Sequence, residues 1–150
     1  MSHSPILPSH MVQVGLIVRD IEKTARAYCQ VFGCEMPQII ITDEYDKSHS
    51  TYRGKPTTAR AKLAFFNMGQ LSIELIQPIG EPSTWKEHLD AHGESVHHIA
   101  FNVQGTEAVC QRLAAEGIPV VQQGDYTGGR YTYLDSVAKL GVALELLENF

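Results

Sequence analysis

Four polar residues stand where alternation would carry them into otherwise apolar surroundings: Gln13, Glu74, His98 and Glu145. In MVQVGLIV the residues Val14, Leu16 and Val18 take one side of a strand, and Gln13, Gly15 and Ile17 the other. VHHIAFNV repeats the pattern, with His98, Ala100 and Asn102 opposite Ile99, Phe101 and Val103. Glu74 is flanked by Ile73 and Leu75, and Glu145 by Leu144 and Leu146. A carboxylate in such a setting is costly to bury without a partner. One divalent cation would satisfy all four side chains. One imidazole nitrogen and three oxygens suit Zn²⁺, Ni²⁺, Co²⁺ or Mn²⁺ better than Cu(I) or an iron–sulfur cluster, and leave room at a six-coordinate ion for two oxygens of water or substrate. Taken singly, each residue is better read as a solvated carboxylate or a hydrogen-bonded core histidine. Their recurrence at matched positions is what points to a metal.

The matching comes from a repeat in the elements that carry them. Met11 to Val18 reads as a strand, followed by an amphipathic helix from the N-cap Asp20 to Phe32, stopped at Gly33. Met36 to Thr42 is strand-like, Asp43 to Thr58 reads as a long polar loop, and Ala61 to Asn67 and Leu71 to Gln77 form a hairpin around Met68-Gly69-Gln70. After a helix over Ser83 to Ala91 the plan starts again at Val96. The second half has a helix from Thr106 to Glu116, a strand from Ile118 to Gln122, a loop from Asp125 to Gly129, and strands at Arg130 to Leu134 and Gly141 to Leu147. An offset of 85 superimposes Gln13 on His98 and Val18 on Val103, and an offset of 71 superimposes Glu74 on Glu145. The expected organisation is one α+β domain over 1–150, built from two βαβββ modules, about 11–78 and 96–148, joined by a helical linker over 79–95.

Composition limits what the domain can serve. With 43% hydrophobic residues the chain can bury a core, and its net charge of −5 without a basic run disfavours nucleic acid and anionic membranes as partners. No apolar stretch approaches the roughly 20 residues of a spanning helix, and MSHSPILPSH lacks the n- and h-regions of a secretory signal. Cys29, Cys34 and Cys110 fit free thiols in a reducing compartment, so a cytoplasmic location is expected.

The stretches QVGLIVRDIEKTARAYCQVFG, LSIELIQP, VHHIAFNV and GVALELLE resemble the vicinal oxygen chelate (glyoxalase/bleomycin-resistance/dioxygenase) superfamily over about Val12 to Glu148. The resemblance implies a cup-shaped mixed sheet around one divalent metal held by Gln13, Glu74, His98 and Glu145, and a homodimer. GEPSTWKEHLDAHGESVHHIAFNV and the turn Gly128-Gly129-Arg130 are similar to methylmalonyl-CoA epimerases, although those enzymes usually have His where Gln13 stands and Gln where Glu74 stands. Lys62 falls near the place where some epimerases carry a further glutamate. The Gln/Glu/His/Glu set is similar to that of zinc-type glyoxalase I, lactoylglutathione lyase. Its glutathione anchors are replaced here by Ile17, Glu94 and Pro78. A ring-cleaving dioxygenase would want a second histidine at Gln13.

Epimerase and lyase share one step, removal of a proton from carbon beside a carbonyl, so the partner is a small molecule: an acyl-CoA, another thioester or a 2-keto compound. Glu145 is the first candidate base and Glu74 its counterpart on the opposite face of the substrate. Arg130, with Gly129, is a candidate anchor for a substrate carboxylate or phosphate. A metal-free, non-catalytic member that sequesters a small molecule is the alternative from another class. Tyr28, Phe32 and Trp85 read as packing residues and His97 as core. The remaining histidines, His3, His10, His49, His88 and His92, read as surface.

Overall fold

The computed structural model describes residues 6–150; His3 lies outside them. In chain order the elements are β1 (Met11–Ile17), α1 (Ile21–Phe32), β2 (Ile40–Ile41), α2 (Tyr45–Ser48), β3 (Thr51–Tyr52), β4 (Lys55–Pro56), β5 (Arg60–Asn67) and β6 (Ser72–Ile79). They continue with α3 (Thr84–His92), β7 (Ser95–Asn102), α4 (Thr106–Ala115), β8 (Val120–Tyr126), β9 (Gly129–Leu134), α5 (Val137–Leu140) and β10 (Ala143–Asn149). The strands form one mixed, curled sheet in the order β2-β5-β6-β1-β7-β10-β9-β8-β3-β4. Its midline is the antiparallel pair β1 and β7. On either side of it a first strand runs parallel to the closing strand of its own half, β1 with β6 and β7 with β10. The fold is the α+β architecture expected from the repeat.

Helices α1 and α4 cover one face of the sheet, each over its own half. Ile21 and Ala25 of α1 pack with Ala64, Phe66 and Leu75, and Val109 and Leu113 of α4 pack with Leu134, Leu144 and Leu146. The ends of α1 follow its sequence. Asp20 accepts the amide of Lys23 at 3.1 Å, and Gly33, at φ 66°, returns its N–H to the Cys29 carbonyl. The start of α4 is different. Gly105 has no side chain to cap it, and the Glu148 carboxylate of β10 accepts the amides of Thr106 and Gly105 instead, at 2.8 and 3.2 Å. A third cluster, with Ile17, Ala61, Ile76, Trp85, Leu89 and Tyr133, ties α3 to both halves.

Several expectations are corrected. The strand at Met36 to Thr42 shrinks to two residues; Pro37 lacks the N–H a ladder needs. The polar stretch Asp43 to Thr58 is an ordered excursion rather than a loop. It forms α2 and the β3–β4 pair, and β3 adds to the edge of β8 in the other half, setting Thr51 and Tyr52 opposite Gln123 and Gln122. Covering that edge satisfies backbone groups that β8 would otherwise leave bare. Tyr52 donates to the Glu87 carboxylate of α3, and Arg53 lies 3.1 Å from it. β8 starts after Pro119 and runs through Asp125 to Tyr126, which cuts the expected 125–129 loop to a turn at Thr127-Gly128. Phe32 is 58% exposed rather than packed. His88 is half-buried against His92 and His97 rather than on the surface. Cys29, Cys34 and Cys110 are free thiols. Among the described residues no helix is long and apolar enough to cross a membrane.

Candidate metal centre

The midline of the sheet sets the geometry. β1 and β7 pair so that Gly15 faces His98, and β6 lies beside β1 with Glu74 next to Gly15. β10 lies beside β7, with Glu145 next to Ala100. Gly15 is required by its neighbour: a Cβ at this position would lie 1.9 Å from His98 Cε1, so the imidazole occupies the space that any other residue would fill. The four side chains singled out by alternation meet there. His98 Nε2 is 2.6 Å from Glu145 Oε2, 3.0 Å from Gln13 Oε1 and 3.4 Å from Glu74 Oε1. All four residues are buried, His98 completely.

Charge and hydrogen bonding both call for a cation at this point. One imidazole N–H cannot serve three oxygens, and Glu74 Oε1 and Glu145 Oε2 are buried without an aligned hydrogen-bond partner. Burial alone would lower the His98 pKa, but the Glu145 and Glu74 carboxylates override it and push it up to about 10. Burial raises the Glu74 carboxyl above the usual range, the charge of Glu145 adds to this, and His98 opposes it. A nitrogen and three oxygens within reach of one point fit a borderline divalent ion, and Glu74, His98 and Glu145 each offer an atom within 4.8 Å of the others.

The centre forms the floor of a cavity of about 490 Å³. Its walls are largely apolar and aromatic, with Leu63 and Phe65 from β5, Trp85 from α3, and Tyr131 and Tyr133 from β9. The two tyrosines escaped the sequence reading, although the alternation in RYTYL carries the signal. Gln122 donates to the Tyr131 hydroxyl at 3.2 Å, and the Trp85 indole donates to the Tyr133 hydroxyl at 3.1 Å. Burial pushes Tyr131 up to about 12 and Tyr133 well above its ordinary value, so both present neutral rings. Trp85 packs as expected and also lines the cup. Ser48 and Ser50 bring the Asp43 to Thr58 excursion to the wall as an ordered part of it.

His97 was also missed as a site residue. It is core, as alternation indicated, but its Nδ1 lies 3.0 Å from His98 Nδ1 and its Nε2 lies 3.1 Å from Thr84 Oγ1. Burial, then the neighbouring His98 and His88, hold its pKa well below the ordinary histidine value, so it is neutral. It also lines a second cavity of about 530 Å³, beside α3, that neither Glu74 nor Glu145 lines.

The expected substrate anchor does not reach the cup. Arg130 lines a separate cavity beside α4, because alternation along β9 turns Tyr131 and Tyr133 inward and Arg130 away. There it donates to Asp125 at 2.7 Å. Gly129 is absent from the cup lining as well and packs against the Glu148 carbonyl and the Tyr126 ring. Lys62 is likewise outside the cup, which Leu63 and Phe65 line instead.

Comparison with known proteins agrees with this architecture. A Bacillus subtilis (strain 168) protein described as "Uncharacterized protein YqjC" is 28% identical over 93 residues, which are 59% of this chain and 66% of that protein, just under two thirds of its length. The methylmalonyl-CoA epimerase of Mycobacterium tuberculosis superimposes with a TM-score of 0.65 at 22% identity, over 100% of this chain and 93% of that one. A variant of the Streptomyces coelicolor methylmalonyl-CoA epimerase in complex with 2-nitronate-propionyl-CoA gives 0.63 at 21% identity, over 93% and 96%. At these identities the structural likeness establishes the fold. The family model of the Glyoxalase/Bleomycin resistance protein/Dioxygenase superfamily matches residues 12–133, and the chain belongs to that superfamily.

Proposed function

We propose that this protein is a divalent-metal-dependent epimerase or isomerase that removes a proton from carbon beside a carbonyl, as methylmalonyl-CoA epimerases do. The observation that carries the reading is the convergence of Glu74, Glu145 and Gln13 on His98 Nε2 at the floor of an apolar cup. Solved relatives of the same fold hold acyl-CoA compounds, which supports a small-molecule ligand here.

Gln13, Glu74, His98 and Glu145 would hold the ion, which when bound acts as a Lewis acid toward the carbonyl oxygen. The protein supplies the rest. The aromatic walls exclude water and press the substrate against the floor. One glutamate, loosened from the ion as a free carboxylate, would take the α-proton as the C–H bonding pair moves into the enolate, and the other, entering the step protonated, would give its proton to the opposite face, so that the pair ends with the one proton it began with. In a reversible epimerisation Glu145 serves as base for one enantiomer and Glu74 for the other.

The lyase reading draws on the same Gln/Glu/His/Glu set. Against it, Ile17 is wholly buried in the apolar cluster and the Glu94 carboxylate is bound to the Arg19 amide at 3.0 Å, so neither offers a cationic anchor for glutathione. Deuterium exchange at the α-carbon of methylmalonyl-CoA in D₂O, set beside turnover of the glutathione hemithioacetal of methylglyoxal, separates the two. Exchange that disappears in Glu145→Gln supports the epimerase, whereas turnover of the hemithioacetal alone overturns it.

A further inference from the structure

The cup has an unusual charge content. Its charged lining residues among those described are Glu74, Glu145, Asp43 and Asp125, all acidic, and neither lysine nor arginine reaches it. Three arginines near its rim are engaged elsewhere. Arg60 donates to the Thr42 carbonyl at 2.8 Å and stands 3.5 Å from Glu44. Arg130 holds Asp125 at 2.7 Å, with His49 at 3.5 Å from the same carboxylate. Arg53 is paired with Glu87. A divalent ion on the floor would balance Glu74 and Glu145, and Arg130 balances Asp125, so no uncompensated positive charge stands among the lining residues. A carboxylate or phosphate pressed against Phe65, Trp85 and Tyr131 would lose its water without gaining a partner. An aryl or branched alkyl group gains contact on every side.

We propose that the cup selects a carbonyl compound that presents an uncharged aryl or branched alkyl group to its walls, and rejects one that presents a further anionic group there. The inference rests on reading the cup as the substrate site of the proposed enolising enzyme and narrows its substrate class. The phosphorylated carrier of an acyl-CoA has no cationic seat inside the cup and would remain outside it.

Two probes test it: α-hydroxy-para-methylacetophenone and para-(hydroxyacetyl)benzoate. They present the same two vicinal oxygens and the same α C–H, and differ only in a distal methyl or carboxylate. Trp85, the one tryptophan of the chain, reports binding by its fluorescence in the full-length, Zn²⁺-loaded protein. The neutral probe is expected to bind about tenfold more tightly or better, a difference of about 1.4 kcal/mol or more. Ile41→Arg, at a wall position 48% exposed, is expected to shrink the difference to about threefold by tightening the benzoate. Equal or tighter binding of the benzoate to the unaltered protein, or no response to either probe, overturns the proposal. Exchange of the α-hydrogens in D₂O, followed by NMR, is read separately. Selectivity without exchange removes the enolising reading and leaves the selectivity, and exchange without selectivity does the reverse.

Discussion

His97 and His98, adjacent in β7, bring their Nδ1 atoms to 3.0 Å from each other, a hydrogen-bond distance between two ring nitrogens. With His98 Nε2 turned toward three oxygens, its Nδ1–H donates to His97, whose own Nε2–H donates to Thr84 Oγ1 at 3.1 Å. This chain fixes the His98 tautomer that leaves Nε2 free to bind a metal. Removing the hydrogen bond in His97→Leu should weaken divalent-metal affinity about 10- to 100-fold, measured by competition with a chromogenic chelator. His97→Gln, which keeps an acceptor, should recover part of the loss. Unchanged affinity in both variants would show that His97 only fills space.

Gly15 is the second support of His98. Because a Cβ here would overlap the ring, Gly15→Ala must displace His98 or spread β1 from β7. Overpacking of this kind costs about 1–3 kcal/mol, readable in urea denaturation of the metal-free protein. Metal affinity should fall further than the stability loss explains, since the ring carries the only nitrogen of the set.

Protons and metal compete for the same nitrogen. His98 is raised from 6.5 to about 10 in the fold, so the metal-free protein holds a stabilising proton that is fully present below about pH 6.5 and lost as pH rises toward 10. Stability of the metal-free protein should therefore decline across that window. His97 and His88, whose pKa values are lowered, act at more acid pH and do not produce this slope. Metal binding at pH 8 should release about one proton per ion, measured by calorimetry in buffers of different ionisation enthalpy. Release of none would place the metal elsewhere.

Arg130 points away from the cup, and its substitution tests that placement. Arg130→Ala should leave metal affinity and α-proton exchange unchanged. A large loss of exchange would restore it as a substrate anchor.

What could be read from the sequence divides along physical lines. Period-two alternation identifies the face on which Gln13, Glu74, His98 and Glu145 lie, because strand geometry allows nothing else, and the repeat matches their places. The same rule carries Tyr131 and Tyr133 inward and Arg130 outward, although an arginine beside a glycine turn has the residue types of an anion-binding loop. The Asp43 to Thr58 excursion was hidden for another reason. Its partner, β8, lies some 70 residues further on, and a two-residue strand that pairs across the halves has no local pattern. The Glu148 cap on α4 was hidden in the same way, since its acceptor comes from β10 while Gly105 gives no local signal. His97 reads as core because it is core, and its bond to His98 depends on ring orientation rather than spacing.

A cation held by Gln13, Glu74, His98 and Glu145 is the premise shared by the proposed site and the proposed reaction. Elemental analysis of protein purified without chelator, followed by reconstitution with Zn²⁺, Ni²⁺, Co²⁺ and Mn²⁺, addresses this directly. The result expected is one divalent ion per chain, lost in His98→Ala and reduced in Glu145→Ala and Glu74→Ala while the fold is retained. Protein that carries no divalent ion and takes up none, or binds one equally well without His98, would contradict it.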